Sequence, residues 1–68
     1  MKVSARNQLR GTVSSIKEGS VHAQVTVDVG GQMVTSVVTM DAIKELGLAE
    51  GSAVVALVKS DSVMLAVE

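Results

Sequence analysis

The sequence predicts an all-β protein: a five-stranded OB-like barrel with one short helix between strands 3 and 4. Two observations support this prediction. Val-rich runs of strand length alternate with Gly-containing polar turns, and only one segment carries helix start and stop signals. The 68 residues form one predicted domain, residues 1–68, whose core is marginal when it stands alone. Barrel closure and subunit packing would cover the edges and apolar faces that an open sheet exposes.

The first half of the chain predicts three strands. Leu9–Ile16 has strand composition and ends at the polar cluster Lys17-Glu18-Gly19-Ser20, which marks a turn. The second strand, Val21–Val29, alternates strictly between apolar and polar residues, so one of its faces is apolar. Gly30-Gly31 permits positive φ at both positions of a two-residue turn. A tight antiparallel hairpin with the third strand, Gln32–Met40, is therefore expected.

The second half predicts the helix and two more strands. Asp41 is the expected N-cap of a short helix over Ala42–Leu46, and Gly47 stands where a left-handed C-cap is favoured. Ser52–Val58 and Ser62–Val67 are nearly all apolar. Such runs predict strands four and five, buried on both faces.

The composition excludes several classes of function. Six basic and seven acidic residues give no basic field, and there are no aromatic side chains on which bases could stack, so we expect no nucleic-acid partner. No apolar run approaches ~20 residues, so we expect no membrane span and a cytoplasmic protein. The chain lacks Cys, has one His, and shows no nucleophile with a base. It is therefore predicted not to be an enzyme, with no catalytic cofactor and no direct metal-cation ligands.

Two polar segments near the ends of the chain are the candidate site. They are Ser4-Ala5-Arg6-Asn7-Gln8 and Lys59-Ser60-Asp61-Ser62. A tetrahedral dianion offers only acceptors, so fixed cations, hydroxyls and backbone N–H groups are the donors that it needs. Asp61 would repel such a ligand, and we expect it to face away or to brace a cation. The alternative is that Arg6 and Lys59 are ion-pair partners at a subunit interface.

Four motifs together resemble the molbindin (Mop) family over essentially the whole chain. They are Ser4-Ala5-Arg6-Asn7-Gln8-Leu9, Ile16-Lys17-Glu18-Gly19, Leu46-Gly47-Leu48 and Val58-Lys59-Ser60. The resemblance implies a free-standing OB-like domain of the cytoplasm that binds molybdate or tungstate. It also implies a homo-oligomer, a hexamer built as a trimer of dimers, with oxyanions held between subunits.

The resemblance further implies which residues bind. Donors from Ser4, Ala5 and Arg6 of one subunit would meet Lys59 and Ser60 of a neighbour. A second oxyanion site is implied at Gly19, Ser20, Val21 and His22, although a surface imidazole on the polar face of strand two is the simpler interpretation of His22. The expected function is binding and storage of molybdate or tungstate, which keeps its free concentration in balance. The alternatives are an OB-fold structural assembly module and an OB domain that binds single-stranded nucleic acid.

Overall fold

The computed structural model describes residues 1–68 and contains one four-stranded antiparallel sheet and one α-helix. The elements are β1 (Asn7–Glu18), β2 (His22–Asp28), β3 (Met33–Thr39), α1 (Met40–Leu46), β4 (Ala53–Val58) and a 3₁₀ turn (Ser60–Ser62). The strand order is β3-β2-β1-β4, so β1 and β2 are central and β3 and β4 are the edges. No helix has the length and apolar character needed to cross a membrane.

The long central strand β1 bends, and this lets it pair with two partners. Its first half pairs with β4 from Asn7 to Thr12, and its second half pairs with β2 from Thr12 to Glu18. The register shifts between Val13 and Ser15, where a bulge leaves one extra residue on β1. A bulge increases local twist and bends the strand. The sheet curls into a half-barrel.

The hairpin between β2 and β3 confirms the turn predicted at Gly30-Gly31. Both glycines have positive φ, 89° and 97°, which side chains with a Cβ rarely adopt. The Val29 N–H donates to the Gln32 carbonyl at 2.8 Å and closes the turn. The pairing runs from Asp28 opposite Met33 to His22 opposite Thr39.

Five strands were expected, and this number is wrong for the single chain. Ser62–Val67 forms no strand: after the 3₁₀ turn the backbone has no regular structure. A run of apolar residues becomes a strand only when a sheet edge accepts its backbone hydrogen bonds, and here the run pairs with neither edge of the sheet. We call Val63–Val67 the C-terminal apolar segment. Its side chains are exposed, with Leu65 94% and Val67 98% accessible.

Two boundaries near the turns also differ from expectation. Lys17 and Glu18 belong to β1 and pair with β2, so the polar cluster there is strand and the turn begins only at Gly19. The N-cap of α1 is Thr39 rather than Asp41: the Ala42 N–H donates to Thr39 Oγ1 at 3.0 Å. A threonine hydroxyl at this position satisfies one of the unpaired N–H groups of the first turn.

The end of α1 agrees with the prediction. Gly47 adopts the left-handed conformation, with φ 62° and ψ 38°. Its N–H donates to the Lys44 carbonyl at 3.2 Å, and the Leu48 N–H donates to the Ile43 carbonyl at 3.0 Å. These bonds satisfy carbonyls at the end of the helix.

The core is small and lies between the apolar face of β2, the middle of β1 and the helix. Alternation along β2 puts Ala23, Val25 and Val27 on the buried face, where they meet Val13 and Ile43. These five are the only buried residues in a chain whose hydrophobic content is 47%. Two-sided burial of strand four is not observed, because no residue of β4 is buried in the single chain. Much apolar surface is left open.

Candidate functional site

The two polar segments of the sequence lie at one end of the sheet, where β1 begins and β4 ends. Asn7 pairs with Val58 across the two strands, and the Asn7 Nδ2 group donates to the Val58 carbonyl at 3.2 Å. Arg6 directly precedes Asn7, and Lys59 directly follows Val58. Antiparallel pairing therefore brings the two cationic residues to the same end of the sheet within one chain. Both are exposed.

The segment before β1 is held by a side chain of the strand itself. Gln8 Nε2 donates to the Ala5 carbonyl at 3.0 Å. The amide side chains of Asn7 and Gln8 thus donate to backbone carbonyl groups of the protein. They are not among the residues assigned to the ligand. The Ala5 N–H makes no backbone hydrogen bond, so it is a free donor between the Ser4 hydroxyl and the Arg6 guanidinium.

The segment after β4 folds into a single 3₁₀ turn. The Ser62 N–H donates to the Lys59 carbonyl at 2.9 Å and closes the turn over Ser60–Ser62. Lys59 Nζ lies 3.9 Å from Asp61 Oδ2. Of the two arrangements expected for Asp61, facing away or bracing a cation, the structure shows it paired with Lys59. Both side chains are more than three-quarters exposed, so this ion pair contributes at most about 1 kcal/mol to stability.

This end of the sheet is chemically suited to an anion. It combines a guanidinium, an ammonium, two hydroxyls and a free backbone N–H, all of which donate hydrogen bonds to oxygen. Asp61 is the one carboxylate in the two polar segments. In the single chain these groups face water, where charge-assisted hydrogen bonds are weaker than in a closed site.

The residues of the second predicted site lie at the opposite end of β1. Gly19–His22 is the hairpin turn between β1 and β2, and the Gly19 N–H donates to the His22 carbonyl at 2.9 Å. A Cβ at position 19 would lie 2.6 Å from that carbonyl oxygen, which explains the glycine. The Val21 carbonyl accepts from the Met40 N–H at 2.8 Å and ties the turn to the start of α1. The His22 side chain is exposed.

An apolar groove on the concave side of the half-barrel was not foreseen from the sequence. Its volume is about 770 Å³. Its walls are the apolar side chains of β4 and of the neighbouring strands, with Arg10, Thr35 and Ser36 among the few polar residues. The signal was present, since strand four is apolar on both faces, and the expectation drawn from it was burial by barrel closure together with subunit packing.

Comparison with known proteins places the chain in a family. A family model described as the TOBE domain matches residues 3–65. A protein of Haemophilus influenzae described as a probable molybdenum-pterin-binding protein is 51% identical over 69 residues, which cover all of both chains. The chain belongs to the small molybdenum-pterin-binding (Mop) proteins, the molbindin family.

Solved structures of Mop proteins share the fold along nearly the whole chain. MopII from Clostridium pasteurianum, in a form described as apo2, superposes with a TM-score of 0.91 at 43% identity and covers 97% of this chain and 100% of its own. A molybdate-binding protein from Sporomusa ovata superposes with a TM-score of 0.92 at 36% identity, covering 97% and 98%. The all-β, OB-like architecture is therefore that of the Mop family.

Proposed function

We propose that this protein binds molybdate through Ser4, Ala5, Arg6, Lys59 and Ser60. The observation that carries the proposal is the pairing of Asn7 with Val58, since it brings both donor segments to one end of the sheet. Family membership supports the choice of ligand: the Sporomusa ovata relative is described as a molybdate-binding protein. Tungstate has the same charge and tetrahedral shape, so the same donors suit it.

The proposed site lies between subunits. Ser4, Arg6, Lys59 and Ser60 are exposed in the single chain, and a bound dianion there would keep much of its contact with water. A neighbouring copy that covers this end of the sheet would exclude water and strengthen every charge-assisted hydrogen bond. In this arrangement Ser4, Ala5 and Arg6 of one copy meet Lys59 and Ser60 of another.

Two exposed apolar surfaces support an oligomer, which we propose is a hexamer arranged as a trimer of dimers. One is the groove of about 770 Å³, and the other is the C-terminal apolar segment. Monomeric soluble proteins rarely leave large contiguous apolar patches open to water. Association of copies would cover both surfaces and supply the burial that five core residues do not provide.

The role that follows is reversible storage in the cytoplasm. The oligomer would bind molybdate or tungstate at its subunit boundaries when the oxyanion is abundant. It would release the oxyanion when the free concentration falls. No bond in the oxyanion is made or broken, so the proposed protein is a binding protein and not an enzyme. A second set of oxyanion sites is proposed at Gly19, Ser20, Val21 and His22, where several copies would have to bring their turns together.

Calorimetric titration of the purified protein with molybdate, tungstate, sulfate and phosphate tests the ligand. Arg6→Ala and Lys59→Ala should each weaken molybdate binding about tenfold to a hundredfold, because a hydrogen bond to a charged group contributes roughly 1.5–3 kcal/mol. Ser4→Ala and Ser60→Ala should cost less, since a neutral donor contributes roughly 0.5–1.5 kcal/mol. Lys44→Ala, which removes an exposed cation from α1, is the matched control and should bind like the parent.

Light scattering on the same variants separates binding from assembly. If Arg6→Ala and Lys59→Ala keep the parent's mass and its molybdate affinity, the proposed site is wrong. If they dissociate into smaller species, these cations hold the interface together, and the ion-pair interpretation replaces the ligand one. A His22→Ala variant with fewer bound anions per chain, at unchanged mass, would support the second set of sites.

A further inference from the structure

We propose that the Asp61 carboxylate competes with the oxyanion for the Lys59 ammonium. This competition lowers the affinity of the site for the oxyanion and so favours its release. The inference rests on the proposed function, because it concerns the same site. Lys59 Nζ has one charged partner in the structure, the Asp61 carboxylate, at 3.9 Å. An oxyanion that binds to Lys59 must either displace this carboxylate from the ammonium or share the ammonium with it.

The backbone keeps Asp61 close to the site. The Ser62 N–H donates to the Lys59 carbonyl and closes a turn that contains Asp61. This turn keeps the Asp61 carboxylate close to Lys59. An oxyanion in hydrogen-bond contact with Lys59 Nζ would lie within about 7 Å of the carboxylate. Every other polar side chain identified at this site, on Ser4, Arg6, Lys59 and Ser60, can donate to an anion. Asp61 alone repels it.

The size of the effect follows from Coulomb's law. At the high dielectric of the open chain end and with partial screening by salt, a dianion about 7 Å from a carboxylate binds roughly threefold to tenfold more weakly than it would without that charge. The side chains are exposed in the single chain, and a neighbouring copy that excludes water makes the repulsion stronger, so this factor is a lower bound. For a storage protein a modest factor suffices, since it raises the free concentration at which the ligand leaves.

The test is Asp61→Asn, which keeps the size of the side chain and removes its charge. Molybdate should bind at least roughly threefold more tightly at about 0.1 M salt, and this gain should shrink at about 1 M salt, where the Debye length falls to about 3 Å. Asp61→Glu restores the charge and should return the affinity to that of the parent. Glu50→Gln removes an exposed carboxylate from the turn before β4, which contacts the middle of β1 away from both proposed sites, and should change nothing.

Each result decides the question. An Asp61→Asn affinity equal to that of the parent, or lower, overturns the inference while the proposed function stands, because the parent still binds. An equal gain from Glu50→Gln would reduce the effect to net charge and would also overturn it. If the parent binds no molybdate, the proposed function itself fails, and this inference fails with it.

Discussion

The C-terminal apolar segment gives a sharp test of self-association through Leu65→Ser. In the single chain Leu65 is 94% exposed and Val67 is 98% exposed. If association buries Leu65, each copy gains about 1.5–3 kcal/mol from that side chain. In a two-fold symmetric dimer the substitution acts twice, so it should cost about 3–6 kcal/mol per dimer. The dimer dissociation constant should then rise about 10²- to 10⁴-fold.

Sedimentation velocity over a range of protein concentrations measures this shift. Leu65→Met is the matched control, because it keeps an apolar side chain of similar volume and should associate like the parent. Circular dichroism on each variant checks that the sheet is intact. A parent that stays monomeric with a stable fold, or a Leu65→Ser variant that associates as tightly as the parent, would refute the argument that this segment is covered in the oligomer.

Two further predictions concern the sheet and the ligand class. Gly11→Ala should destabilise the fold by about 1–3 kcal/mol in chemical denaturation. The added Cβ would lie 2.4 Å from the Asp28 carbonyl oxygen and 2.8 Å from Val27 Cγ1, so β1 and β2 would have to move apart. A denaturation midpoint equal to the parent's would contradict this prediction, because it would mean that the strands move apart with no loss of stability. Single-stranded oligonucleotides should not bind, since the net charge is −1 and no aromatic side chain is present; salt-sensitive binding at moderate affinity would contradict this.

Some local features of the fold could be predicted from the sequence, because the residue pattern at those positions is compatible with only one local conformation. Strict alternation along β2 identified Ala23, Val25 and Val27 as core. Two adjacent glycines located the second hairpin, and Gly47 located the end of the helix. The N-cap was misplaced because Thr39 and Asp41 both carry a capping oxygen, and sequence spacing alone does not rank them.

The fifth strand was misjudged for a different reason. Apolar composition can be read from one segment alone. A β-strand, in contrast, needs a neighbouring strand whose edge accepts its backbone hydrogen bonds. Val63–Val67 has the composition but no partner edge within its own chain. The same composition predicted burial of β4, and β4 instead lines an open groove. Both departures leave apolar surface that a second copy of the chain could cover.

The candidate site was predictable in its residue types but not in how the chain assembles it. The sequence identified cations and hydroxyls in two separate segments, and the pairing of Asn7 with Val58 brings these segments, 51 residues apart, to one end of the sheet. That register depends on the long-range pairing of β1 with β4, which no local pattern specifies. The Asn7 side chain adds a hydrogen bond to the Val58 carbonyl and so joins the two strand ends.

Binding and assembly should be coupled in this protein, because one end of the sheet serves both. Arg6 and Lys59 are exposed cations at the same strand ends, so a neighbouring copy that approaches them brings like charges together unless an anion lies between. A bound dianion would neutralise that repulsion, while the neighbour would exclude the water that weakens the anion's hydrogen bonds. By linkage, whatever free energy assembly adds to molybdate binding, molybdate adds to assembly. In the proposed site the Asp61 carboxylate competes with the dianion for Lys59 and itself offsets part of the repulsion between the cations, so it weakens the coupling between binding and assembly.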